Sequence, residues 1–133
     1  MSLDALFSLS GQVAIVTGAG RGIGRGIAEH FAQAGATVIC AARTLEDLEK
    51  TVASCKAAGG NALAQVCDVA QEEQLQALVN TAVNEFGRLD IVVNNAGGAW
   101  PNDPLKTDAK TFNRDFDFNV TSAFNLCRLA QPA

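Results

Sequence analysis

Val13-Ala14-Ile15-Val16-Thr17-Gly18-Ala19-Gly20-Arg21-Gly22-Ile23-Gly24 is the stretch that decides the fold. Its first four residues are an unbroken apolar run of strand type. Ile23, Ile27, Phe31 and Ala34 then recur at helical spacing, and Gly35 stands where a helix ends on glycine. A glycine-rich turn from a buried strand into a helix presents backbone N–H groups and the positive end of the helix dipole together, which suits an anion such as a pyrophosphate. The glycines divide the work. Gly18 permits the tight turn out of the strand, Gly22 lets the backbone approach a pyrophosphate without a Cβ in the way, and Gly24 allows helix to lie close on sheet. Thr17, Arg21 and Ile23 complete the candidate cofactor contacts of the turn. Glycines alone would also be read as a bare turn; here strand, turn and helix agree.

Outward from this unit, apolar runs alternate with amphipathic segments. Further strands are expected at Thr37–Ala41, Ala62–Cys67 and Asp90–Val93, all continuous rather than alternating, as in strands covered on both faces. A second helix carries Leu45, Leu48, Val52 and Cys55 on one face, with Thr44 and Asp47 spaced as a capping box. A third carries Leu75, Leu78, Val79, Ala82, Val83 and Phe86 and closes at Gly87. Right-handed crossovers between such elements give an α/β fold, a doubly wound Rossmann-type parallel sheet in the order 3-2-1-4, partial because later strands are missing. Gly97 to Pro104 reads as a loop. A helix is expected from about Thr107 to Phe118, with Phe112 and Phe116 in the core, and a further apolar helical segment from Phe124 to Ala130.

The composition, 133 residues with 48% hydrophobic and 18% charged, is that of one globular domain. Ten basic against 14 acidic residues offer no excess for a nucleic-acid backbone. No long apolar run and no Lys or Arg precede Arg21, so neither a secretory signal nor a membrane span is expected, and the expected location is cytoplasmic. Cys40, Cys55, Cys67 and Cys127 show no zinc spacing and read as reduced structural thiols. His30 reads as a surface residue, so no metal site is expected. Glu72 and Glu73 suit the dipole at a helix start. Trp100 reads equally as a pocket wall or as simple packing.

Thr17-Gly-x-x-x-Gly22-x-Gly24 departs from the usual G-x-G-x-x-G spacing. Together with Asn94-Asn95-Ala96-Gly97 directly after the fourth strand, it makes the chain, from about Gly11 to its last residue, resemble the N-terminal half of the short-chain dehydrogenase/reductase family. The resemblance implies hydride transfer between a nicotinamide cofactor and a carbonyl or alcohol carbon of a small molecule, in a homo-oligomer (dimer or tetramer). It assigns Asp68, with Val69, to the adenine; an N-cap for the third helix is the other reading of Asp68. It gives Asn94-Asn95-Ala96-Gly97 the task of stabilising the central sheet and lining the nicotinamide ribose, with Asn95, Ala96 and Gly97 as cofactor residues. Asn119, in Asp117-Phe118-Asn119-Val120, matches the catalytic asparagine whose backbone anchors a water in the family's proton relay.

At the end of the second strand, NAD-preferring proteins of this architecture carry an acid for the ribose 2′-hydroxyl; here the sequence is Ala41-Ala42-Arg43. Arg43, helped by Arg21, could fork onto a 2′-phosphate, so NADP(H) is the preferred cofactor and NAD(H) a possible one. Both arginines could instead be solvated helix-end cations. The family's general acid is a tyrosine followed four residues later by lysine, with a serine on the substrate oxygen. This sequence contains no tyrosine, and its four lysines cannot form that pair. Residues 1–133 are therefore expected to be the N-terminal dinucleotide-binding part of a single Rossmann domain that ends before the catalytic half, and to be inactive alone. The rival reading is a catalytically inactive nucleotide-binding fragment or a dimerising interaction module. A methyltransferase or flavoprotein would share the glycine turn but give no reason for Asn94-Asn95-Ala96-Gly97.

Overall fold

A computed structural model describes residues 1–133. The elements in chain order are α1 (Leu3–Phe7), β1 (Val13–Thr17), α2 (Gly22–Gln33), β2 (Thr37–Ala42), α3 (Leu45–Ala57), β3 (Asn61–Val66), α4 (Glu72–Phe86), β4 (Ile91–Val93), α5 (Ala109–Phe116), a π-helical turn (Asp117–Thr121) and α6 (Ser122–Ala130). The strands form one parallel sheet in the order β3-β2-β1-β4. All five residues of β1 are buried, because β2 and β4 flank it and helices cover both faces. Val13 and Ile15 face the layer made by α4 and Leu126 of α6. Val16, with Val38 and Cys40 of β2, faces α2 and α3. At the bottom of the sheet the Asp90 carboxylate accepts the Val13 N–H at 2.8 Å and the Arg88 guanidinium through both oxygens, contacts that hold its carboxyl below the usual carboxylate range, the Arg88 contact most of all.

Several local expectations change in the folded chain. The face of α2 that meets the sheet is the small-residue row Gly24, Ala28 and Ala32, and Ile23 is 78% exposed at the helix start. A helix packed this close leaves no room for a side chain on the sheet-facing side of its first turn, at Gly24. Thr44 is the N-cap of α3, yet its side chain makes no capping hydrogen bond, so the capping box with Asp47 does not form. Val83 lies on the outer side of α4 and is 40% exposed. The helix expected from Thr107 to Phe118 starts later, at Ala109 behind an Asp108 cap, and gives way to the π turn after Phe116. Phe112 and Phe116 are not core residues: they are 61% and 49% exposed and stack on each other at 6.4 Å between ring centroids. Their helical spacing brings them together on the outer face, so the pair covers itself rather than the sheet.

Gly87 closes α4 in the left-handed region, as its position suggests, and Glu72 and Glu73 occupy the first turn of that helix. All four cysteines are free; Cys40, Cys55 and Cys67 are buried and Cys127 is exposed. Burial pushes the Cys40 thiol up to about 12 and Cys67 to about 11, so both stay protonated and unreactive. No helix is long and apolar enough to cross a membrane.

Candidate functional site

Because all four strands run the same way, their C-terminal ends share one edge of the sheet. The edge divides between β1 and β4, where the chain changes direction in the strand order, and that is where open α/β sheets bind ligands. A cleft of about 480 Å³ lies there. Gly18 (φ +64°) and Gly22 (φ +59°) turn the chain through the left-handed region, and nothing stands within 4 Å of the place a Gly22 Cβ would occupy. The backbone at Gly22 is therefore open to an incoming group at the start of α2. Gly24 is the opposite case. A Cβ there would overlap the Gly18 carbonyl and the Asn95 side-chain amide, so glycine is what lets α2 sit against the turn.

The turn is held from β4. Thr17 is 2% exposed. Its hydroxyl donates to the Val93 carbonyl at 3.3 Å and accepts the N–H groups of Asn95 and Ala96 at 3.1 and 3.0 Å. The Asn95 amide returns the contact, donating to the Thr17 and Gly18 carbonyls at 3.1 and 3.3 Å. On the other side Thr51 of α3, fully buried, donates to the Ala19 carbonyl at 2.8 Å. Replacing Thr17 by the isosteric valine keeps the packing and strands the Ala96 N–H, while the Asn95 N–H keeps its bond to the Val93 carbonyl at 3.0 Å. The expected cost is about 1–3 kcal/mol of unfolding free energy in chemical denaturation, with Thr17→Ser restoring it.

Ten candidate residues line the cleft: Gly18, Arg21, Gly22, Ile23, Arg43, Asp68, Val69, Asn95, Ala96 and Gly97. Thr17 and Gly24 lie beneath it as supports, without lining it. Asp68 is not the N-cap of α4, which is Gln71; its Oδ1 accepts the Ala70 N–H at 3.0 Å, and Oδ2 has no partner within the chain. Neither Arg21 nor Arg43 is in an ion pair, and the Arg43 guanidinium sits 6.0 Å from the centroid of the Phe118 ring. Phe118, Thr44 and Asp47 also line the cleft. Sequence reading passed over Phe118 and Thr51; the only signal for Phe118 was its place beside Asn119.

Asn119 lies outside this cleft, in the π turn. Its side chain accepts the Gly98 N–H at 2.9 Å and donates to the carbonyls of Gly98 (2.9 Å) and Asp115 (2.8 Å). It thus clamps the loop after β4 onto the α5–α6 rod. A π turn interrupts the regular i→i−4 ladder, which is how a helix residue turns back toward a loop, and such turns are frequent at functional sites. Asn94 donates to the Cys127 sulfur at 3.3 Å, tying the same loop to α6. Trp100 is 79% exposed, so it is not a packing residue.

A parallel sheet in this order, with helices on both faces and a glycine turn at the start of α2, is a fold of Rossmann type. The model of the short-chain dehydrogenase family matches residues 12–133, and the chain belongs to that family of oxidoreductases. It is 46% identical over 132 residues to an uncharacterized oxidoreductase of Mycobacterium tuberculosis (strain CDC 1551 / Oshkosh), covering 99% of this chain and 50% of that protein. A short-chain type dehydrogenase/reductase from Mycobacterium marinum superimposes with a TM-score of 0.95 at 38% identity, over 100% of this chain and 54% of the other. A 7α-hydroxysteroid dehydrogenase solved with NADH and 7-oxo glycochenodeoxycholic acid does so with a TM-score of 0.93 at 39% identity, over 99% and 51%. The chain spans about half the length of the curated relatives it matches.

Proposed function

We propose that this protein is an NADP(H)-dependent oxidoreductase acting on a carbonyl or alcohol carbon of a small molecule, and that residues 1–133 are the N-terminal, dinucleotide-binding part of its single Rossmann domain. The observation that carries the cofactor preference is Arg43, which stands beyond β2 without an ion pair where an NAD-preferring site holds an acid, with Arg21 in the same cleft. The 7α-hydroxysteroid dehydrogenase complex holds NADH, so membership of the family leaves the phosphate preference open, and the argument rests on this chain's own residues.

When bound, the nicotinamide would supply or accept the hydride. The chain's residues do the rest of the holding. Backbone N–H groups at Gly22 and the start of α2 receive the pyrophosphate. Arg43 and Arg21 receive the 2′-phosphate, and the free Oδ2 of Asp68 receives the adenine amino group. Ala96 and Gly97 would line the nicotinamide ribose, and Asn119 fixes their loop through Gly98. The backbone of Asn119 would then hold a water of the proton relay, the role its family counterpart has. No tyrosine lies within these residues, so a tyrosine general acid must come from outside them. By themselves they bind cofactor without turning over substrate. The exposed row Phe112, Phe116, Val120 and Phe124 along α5, the π turn and α6 fits the face of a homo-oligomer, dimer or tetramer. Four free cysteines fit a reducing, cytoplasmic location. No observation favours a non-catalytic interaction module.

The test is an assay of the whole protein with NADPH and a panel of ketones and aldehydes. Carbonyl-dependent loss of the reduced-nicotinamide absorbance is the expected result. Failure to bind either nicotinamide cofactor would overturn the reading.

A further inference from the structure

A second, wider cleft of about 1,120 Å³ opens beside the first and shares Arg21, Arg43, Asp68, Gly97 and Phe118 with it. Its far bank is α5, which contributes Lys110 and Arg114. The charges there are unlike those of the rest of the molecule. The chain carries a net charge of −4, yet four of its ten basic residues line this opening, against three of its 14 acidic ones. The acids are partly engaged: Asp68 accepts the Ala70 N–H, Asp117 accepts the Thr121 hydroxyl, and Asp115 pairs with Arg114 at 3.4 Å. Lys110 has no ion pair. Nothing in the cofactor reading so far uses Lys110 or Arg114.

Lys110 and Arg114 stand four residues apart on α5 and so share one of its faces, and both line the opening that Arg21, Arg43 and Phe118 also line. We infer that Lys110 and Arg114 are specificity-determining residues for the phosphorylated ribose of the cofactor: they form a second bank of positive charge facing Arg21 and Arg43 and hold the 2′-phosphate from the α5 side. This inference rests on the NADP(H) reading and deepens it. Two long, flexible, exposed side chains are suited to such a part, since they can fold onto a dianion when it arrives and remain hydrated without it.

The experiment is a calorimetric titration of the protein, wild type and Lys110→Gln/Arg114→Gln, with NADPH, NADH and adenosine 2′,5′-bisphosphate. Both positions are exposed, so the variant should keep the wild-type circular dichroism. It is expected to bind NADPH and the bisphosphate about fivefold to tenfold more weakly, as two exposed ionic contacts would give, with NADH unchanged. Unchanged NADPH affinity, in a protein where Arg43→Asp does weaken NADPH, would overturn the inference and leave the cofactor reading standing. Equal losses for NADPH and NADH would overturn it as well. A wild-type protein with no preference for NADPH would overturn both.

Discussion

Gly24→Ala is expected to remove measurable NADPH binding while the neighbouring Gly26→Ala leaves it intact. A Cβ at position 24 would lie on the Gly18 carbonyl and the Asn95 amide, and both of those are fixed: Gly18 by its turn, Asn95 by its bonds to Thr17 and Gly18. Helix α2 would have to lift away, at about 1–3 kcal/mol or more for an overpacked contact. Lifting it would move the first-turn N–H groups away from the place proposed for the pyrophosphate, so binding is expected to fall by about a hundredfold or more, equivalent to roughly 2.7 kcal/mol. At Gly26 nothing stands within 4 Å of the added methyl. Alanine there should stabilise helix α2 by about 0.5–1 kcal/mol. Thermal denaturation and cofactor titration of the two variants side by side separate a steric effect at one glycine from any general intolerance of the helix.

Arg43→Asp is expected to weaken NADPH binding by tenfold to several hundredfold and to leave NADH binding equal or tighter. A charge-assisted contact to a phosphate contributes on the order of 1.5–3 kcal/mol, and the new carboxylate adds repulsion while offering the NADH ribose hydroxyls an acceptor. Arg43 is in no ion pair, and its guanidinium sits 6.0 Å from the centroid of the Phe118 ring. Titration of both cofactors against the variant decides the matter: equal losses would refute the 2′-phosphate role.

The strands and the glycine turn were legible in the sequence because each rests on local signals, and the order of the strands followed from the right-handed crossovers between them. A continuous apolar run, a glycine at a fixed offset and a turn directly after a strand say nothing of distant partners and need none. What escaped notice depends on contacts across the chain. Asn95 reads as a cofactor residue, yet its amide is spent on Thr17 and Gly18, 78 and 77 residues away in sequence. Thr51 reads as a helix residue, and only folding brings its hydroxyl to Ala19. Periodicity also misled where it was right about the helix and wrong about the face. Ile23 keeps the helical spacing but stands in the open, because close packing of α2 favours Gly24, Ala28 and Ala32. Phe112 and Phe116 share a face, and it is the outer one. The π turn has no distinctive composition, and the clamp that it carries joins Asn119 to Gly98, 21 residues away in sequence. Helix α1 is short, capped by Ser2 and fully exposed, so no hydrophobic pattern announced it.

Cofactor selection at the end of β2 is the point on which the functional account turns. The most direct measurement is therefore a calorimetric titration of the wild-type protein with NADPH and with NADH under identical salt and pH. The account predicts that NADPH binds at least about tenfold more tightly, a difference of roughly 1.4 kcal/mol. Equal affinity, or tighter binding of NADH, would contradict it.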